Sequence, residues 1–390
     1  MTAPSGRHFL QIPGPSNVPD RILHAIGHPT IDHRGPEFQK LSEEVLLGSR
    51  RIFKTSGPVV VFPTSGTGAW EAALMNTLSP GDKILMFETG HFATLWCNMA
   101  RKYGLEVDFV PTDWRHGVDP QLVEDKLKAD TGQQIKSVNI VHNETSTGVL
   151  SRVAEVRQAI ENANHPALFM VDTISSLGST DYRHDEWKVD VTVGCSQKGL
   201  MLPPGLGLNA ISEKALEASK SNNSTRHFCD WNDMLKANEN FFYPSTPCTN
   251  LLFGLRESIR MLEEEGLDNV FNRHARFGEA ARRAVRTWGL EVLCLEPLEY
   301  SPVLTAVLMP EGESADALRK VVLEKFDMSL GNGLGKVADK VFRIGHLGDL
   351  NDLSLIGTLA GVEMGLELGG VKHTKGGVAA AMDYLSETAA

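Results

Sequence analysis

Between about Asp32 and about Leu252, short apolar runs alternate with stretches of helical period. Residues 59–62, 83–87, 107–110, 137–141, 167–171, 189–193 and 207–211 are four or five residues long and mostly apolar, which predicts buried strands. Residues 70–78, 92–103, 120–129 and 153–162 repeat their apolar positions at three- and four-residue spacing and predict helices. Strand and helix in strict alternation predict an α/β fold with a mostly parallel seven-stranded sheet, covered on both faces. After residue 250 the pattern changes. Helices are predicted at 251–265, ending at Gly266, and at 267–287, then strands at 291–295 and 304–308, a helix at 315–326 and a strand at 341–344. This reads as a smaller C-terminal α+β domain. The expected division is an N-terminal arm at 1–20, rich in proline and glycine and without a regular element, a large domain at 21–263 and a small domain at 264–390.

Composition narrows the function. A formal net charge of −11 disfavours a nucleic-acid partner, since phosphate backbones attract basic faces. No stretch approaches 18 uninterrupted apolar residues, and the N-terminus lacks the apolar core of a signal peptide, so the sequence predicts no membrane association. The five cysteines are scattered and without metal-ligand spacing, which predicts no metal site and a cytoplasmic protein.

Four positions fall near the ends of predicted strands, where such sheets bind ligands. The segment Thr64-Ser65-Gly66-Thr67-Gly68-Ala69 precedes a helix; its glycines and small hydroxyls let backbone N–H groups approach an anion, although it also reads as a plain glycine-rich turn. It lacks the lysine of a P-loop and the full dinucleotide-loop spacing. Asp172 closes the run 167–171, where a poorly solvated carboxylate needs a partner: a protonated pyridine nitrogen would serve, as would the start of the next helix. Lys198, in Ser196-Gln197-Lys198-Gly199, sits among small and apolar residues that favour a neutral, nucleophilic amine. Arg343 offers a planar fork to a carboxylate, or belongs to a structural ion pair. Together these four features fit one cofactor, pyridoxal 5′-phosphate.

At these residues the sequence resembles the class V aminotransferases, and within them the serine–glyoxylate and alanine–glyoxylate branches. The resemblance runs nearly end to end: PGPSN at 13–17, DHR at 32–34, PTSGTGAWE at 63–71, HNETSTGV at 142–149, VDTISSLGS at 171–179, GCSQKGLMLPPGLG at 194–207, YPSTP at 243–247 and KVFRIGHLGDL at 340–350. It implies a fold-type I transferase in which Lys198 forms the Schiff base and moves the substrate proton, and Asp172 pairs with the pyridine nitrogen. Phe92 and Ile174 would pack on the two ring faces, and Thr145 would bond the phenolic oxygen. Thr67, Gly68, Ala69 and Gln197 would hold the phosphate. Tyr243 and Thr246 would reach the phosphate of the neighbouring copy, implying a homodimer or tetramer with sites at the subunit interface. Arg343 would bind the substrate carboxylate, helped by backbone around Gly14 and Pro15 and by Asn17. His33 and Arg34 would line the substrate pocket, from the same or the neighbouring chain, with His142 and His346 as further polar walls unless they are core residues.

The implied reaction moves the amino group of L-serine, or a similar small amino acid, to glyoxylate, giving hydroxypyruvate and glycine. Alanine or aspartate donors, a cysteine desulfurase-type lyase and a non-catalytic binding protein of the same fold are the alternatives. The desulfurase needs a mobile catalytic cysteine, and no cysteine stands in an evident flexible loop.

Overall fold

The computed structural model describes residues 6–389. Strand β1 (Phe9–Gln11) leads into helices α1 (Asp20–Ile26) and α2 (Pro36–Phe53). Alternating units follow: β2 (Val59–Phe62), α3 (Gly66–Thr77), β3 (Lys83–Glu88), α4 (His91–Lys102), β4 (Glu106–Pro111), α5 (Pro120–Ala129) and β5 (Ile135–Val141). The short strands β6 (Asn143–Glu144) and β7 (Val149–Leu150) pair as a hairpin before α6 (Val153–Asn162), β8 (Leu168–Asp172), β9 (Val191–Cys195) and β10 (Gly207–Ile211). Helices α7 (Glu213–Ser221) and α8 (Trp231–Asn238) precede the long α9 (Thr249–Glu265) and α10 (Leu267–Thr287), which meet at Gly266. The C-terminal part contains β11 (Glu291–Val292), β12 (Leu304–Leu308), α11 (Ala315–Phe326), β13 (Met328–Asn332), β14 (Val341–Gly345), α12 (Asp352–Leu368) and α13 (Gly377–Glu387).

Seven strands form one sheet in the order β2-β10-β9-β8-β5-β3-β4. All run parallel except β10, which is antiparallel to both its neighbours. Alternation along each strand divides the core. Val60 and Phe62 face α3 and α4, whereas Val59 and Val61 face α2 and α9. Leu85, Val138, Ile140 and Phe169 join a third cluster under α5 and α6. A strand buried on both faces must be apolar throughout, which is why these runs stood out in the sequence.

The smaller sheet has the order β1-β13-β14-β12-β11 and packs under α10, α11, α12 and α13. Here the structure corrects the expectation for the arm, whose first five residues lie outside the described ones. The arm carries β1, which pairs in parallel with β13 through Phe9↔Met328, Leu10↔Ser329 and Gln11↔Leu330. The strand expected at 291–295 shrinks to Glu291–Val292. Pairing of β1 carries the following residues over the large sheet: the Ser16 N–H donates to the Gln197 carbonyl at 3.0 Å.

Gly345, at the end of β14, is where the arm crosses. A Cβ there would stand 2.3 Å from the Ile12 oxygen and 2.5 Å from its carbonyl carbon, both backbone atoms. Gly345→Ala is therefore expected to displace the arm and to destabilise the protein by about 1–3 kcal/mol, as overpacking does. Hydrogen exchange at residues 9–16 should accelerate, and unchanged protection there would contradict this packing.

Candidate active site

The carboxyl ends of β2, β5, β8 and β9 surround a cavity of about 240 Å³. Register explains the convergence: Val141 at the end of β5 lies beside Asp172 at the end of β8, and Asp172 beside Val193 of β9. Lys198 follows β9 by one turn.

Asp172 is buried and its carboxylate is fixed by two donors. The Ile174 N–H donates to Oδ1 at 2.6 Å and the Trp70 indole N–H to Oδ2 at 2.9 Å. Burial pushes the carboxyl up to about 7, opposed by these two hydrogen bonds. Lys198 shifts the other way: burial lowers its amine to about 8. The arm closes over it, with the Ser16 hydroxyl donating to the Lys198 carbonyl at 2.8 Å and Lys198 Nζ donating to the Pro13 carbonyl at 2.6 Å. Gly14 passes so close that a Cβ would lie 2.4 Å from Lys198 Cδ, and its φ of +110° excludes a side chain independently.

Arg343 is buried within β14. Its Nε donates to the Asn332 carbonyl at 2.8 Å and one Nη to the Thr145 carbonyl at 2.7 Å. Burial lowers it to about 10, still charged at neutral pH. It stands behind Thr145, which itself lines the cavity. Glu144, fully buried, accepts from the Phe92 and Ala93 N–H groups at 3.3 and 3.1 Å and from the Ser146 hydroxyl at 2.7 Å. It satisfies the open start of α4 and ties Phe92, on the cavity wall, to the β6–β7 hairpin whose turn holds Thr145.

The Aminotransferase class-V family model matches residues 9–331. The chain is 47% identical to the serine–glyoxylate aminotransferase of Methylorubrum extorquens, covering 98% of this chain and 97% of that protein. It is 45% identical to the L-aspartate–glyoxylate aminotransferase of Paracoccus denitrificans, covering 97% and 96%. The solved structure of the pyridoxamine–pyruvate aminotransferase from Mesorhizobium loti superposes over the whole of both chains with a TM-score of 0.92 at 26% identity. This chain belongs to the class V aminotransferases. Its cofactor is accordingly pyridoxal 5′-phosphate.

The residues present fit that group. Two buried amide oxygens on the cavity wall, Gln197 Oε1 and Asn143 Oδ1, have no partner among the described residues, and buried polar atoms call for one; toward a phosphate the Gln197 amide would turn its NH2, the only donor it has. The Asn143 orientation is determined: the Ser175 hydroxyl donates to the Asn143 carbonyl at 2.8 Å, so Ser175 Oγ must accept from Asn143 Nδ2, at 2.7 Å, leaving Oδ1 free. Phe92 and Ile174 line the cavity as apolar walls, and α3 opens with Ser65, Gly66 and Thr67 at its rim, suited to an anion.

Of the residues expected at a site, Lys198, Asp172, Thr145, Gln197, Thr67, Phe92, Ile174 and Gly14 meet on this one cavity. Gly68 and Ala69 do not. Helix α3 begins at Gly66, four residues earlier than predicted, so the Ala69 N–H is already bonded to the Ser65 carbonyl at 3.2 Å, while Gly68 faces a different hollow beside Arg226. Ser65 and Gly66 take those places. Asn17 is also absent, its amide donating to the Leu10 carbonyl at 3.0 Å beside a separate cavity. His33 is half-buried and Arg34 exposed, in the loop before α2 and off the cavity. Tyr243 packs edge-on against Phe38 and Thr246 is exposed, neither reaching this chain's cavity. His142 and His346 are core residues. Their Nδ1 atoms pair with Ser176 Oγ at 2.9 Å and the Pro302 carbonyl at 2.9 Å, and burial lowers each to about 3. Trp70, Glu144 and Asn143 are not evident as site residues in the sequence, because one tryptophan on a helix and a two-residue polar strand carry no periodic signal.

An amine lowered by burial is neutral, and reactive toward an aldehyde, at lower pH than an ordinary lysine. In the cofactor-free protein, the rate of pyridoxal phosphate capture should rise with pH up to about 8 and then level. Stopped-flow absorbance would show it. A rate still climbing toward the ordinary lysine value of about 10.4 would contradict this reading.

Proposed function

We propose that this aminotransferase carries the amino group of L-serine to glyoxylate, releasing hydroxypyruvate and then glycine. The observation that carries the chemistry is the meeting of Lys198 and Asp172 on one small cavity with Arg343 behind it. The choice of substrates is supported by the serine–glyoxylate relative at 47% identity. When bound, the cofactor supplies an aldehyde for the donor amine and a ring that accepts the electron pair released at Cα.

The rest falls to this chain's own residues. Asp172 holds a proton on the ring nitrogen. Lys198 would take the proton from Cα and deliver it to the cofactor carbon that retains the amino group, a task suited to an amine lowered to about 8. Arg343 has Nη2 without a protein hydrogen bond among the described residues, and that atom grips the carboxylate common to serine and glyoxylate. Ser65, Gly66, Thr67 and Gln197 receive the phosphate; Phe92 and Ile174 enclose the ring; Thr145 meets the phenolic oxygen. Tyr243 and Thr246 complete the site of a second copy in a cytoplasmic homodimer, supported by their absence from this chain's own cavity and by five unpaired cysteines. A desulfurase lacks support: no cysteine lines the cavity, and burial pushes the Cys195 thiol up to about 12.

With glyoxylate as acceptor, serine should exceed alanine and aspartate in kcat/KM by about tenfold or more. Aspartate in first place would overturn the serine assignment and leave the aminotransferase intact. Arg343→Ala should weaken donor and oxo-acid alike by on the order of 2–5 kcal/mol, the range for removing one partner of a buried charge pair. Unchanged KM values for both would remove Arg343 from the site.

A further inference from the structure

We propose that Trp70 is a positioning residue: its indole N–H holds the Asp172 carboxylate in the charged state and orientation that keep the cofactor's ring nitrogen protonated. The inference rests on the role proposed above for Asp172 and assigns a residue that acts through it.

The contact is specific in geometry. Asp172 accepts at both oxygens, from Ile174 N–H at Oδ1 and from Trp70 Nε1–H at Oδ2. A carboxylate has two acceptor oxygens with about four lone-pair directions, whereas a carboxylic acid spends one oxygen as a donor. Accepting at both oxygens favours the anion over the acid, and one lone pair on each remains for a ligand. Of the two donors, the Ile174 amide is supplied by backbone that any sequence would provide. The indole N–H is supplied by side-chain identity alone, and tryptophan can only donate.

Burial decides how much this matters. Desolvation alone drives Asp172 toward its neutral form, and the two hydrogen bonds oppose it. A neutral acid would no longer favour a protonated ring nitrogen, and the ring would lose its capacity to take up charge. Trp70 is itself held. It is 3% exposed and stacks on Trp96 at 5.9 Å between ring centres and 11° between planes. Its place on α3 adds a coupling. Gly66 and Thr67 lie at the rim of the cavity, and Trp70 comes four and three residues later, on the same helix face. One rigid helix thus sets the anion cradle at one end of the site and the carboxylate's orientation at the other.

The test is Trp70→Phe, which keeps an aromatic ring against Trp96 and deletes the donor. With ¹⁵N-labelled pyridoxal phosphate, the ring nitrogen of the holoenzyme should show the protonated chemical shift at neutral pH in the unaltered protein. It should move toward the neutral shift in the variant. The kcat should fall about 10- to 100-fold, the scale of losing one hydrogen bond to a charged group, with KM for the amino donor within about threefold. Trp96→Phe is the packing control: the Trp96 N–H has no hydrogen-bond partner among the described residues, so this change removes bulk and no bond seen there. It should leave the nitrogen shift in place. In an Asp172→Asn background, Trp70→Phe should add little further loss.

An unchanged nitrogen shift and kcat in Trp70→Phe, with Asp172→Asn crippled, would overturn the inference and leave the role of Asp172 standing. An Asp172→Asn protein with normal rate and normal nitrogen shift would overturn the role of Asp172 itself. Trp70→Leu, which is apolar and likewise has no donor, takes the place of Trp70→Phe if that protein does not fold.

Discussion

Two ionisable groups buried side by side dominate this molecule. Removing a charge from water is unfavourable unless something replaces the lost solvation. Here Asp172 is driven toward its acid and Lys198 toward its free base, each by burial. A lone pair of this kind would stabilise little in an empty protein. It makes sense as half of an arrangement whose other half is a ligand bearing a cationic ring nitrogen and an electrophilic carbonyl. The protein supplies desolvated groups whose charge states are held near balance at neutral pH, and the cofactor settles them.

The enclosure that maintains this balance is assembled from distant parts of the chain. The arm belongs to the small sheet through β1, yet its residues Pro13 to Ser16 form the lid on Lys198. Arg343, from the same small sheet, reaches the Thr145 carbonyl in the turn of the β6–β7 hairpin. Glu144 joins the neighbouring hairpin to the start of α4. The arm over Lys198 and the Arg343 contact behind Thr145 thus both come from the small sheet.

The central strands were legible because burial on both faces demands uninterrupted apolar runs, and Lys198 and Asp172 stood out as charges that such runs do not tolerate. Other features were hidden for identifiable reasons. Helix α12 lies where no element is predicted and carries Gly357, Gly361 and Gly365, residues of low helix propensity; in the fold they admit close neighbours, a Cβ at Gly365 falling 2.4 Å from Val322 and one at Gly361 falling 2.6 Å from Met328. Strand β1 is three residues long and gains its identity from β13, more than 300 positions away. Which amides of the segment 64–69 remain free depends on where α3 starts, and no capping hydrogen bond from a side chain marks Gly66. Asn17 stands off the cavity with its amide donating to a backbone carbonyl, a choice that residue type does not reveal.

The central claim is that the amine at position 198 is the covalent attachment point of the cofactor, opposite the acid at the end of β8. Borohydride reduction of the holoenzyme, followed by proteolysis and mass mapping, tests it directly. The account predicts a reduced pyridoxyl group on the peptide bearing Lys198, in about one equivalent per chain. Label on a different lysine, or none on any, would contradict it.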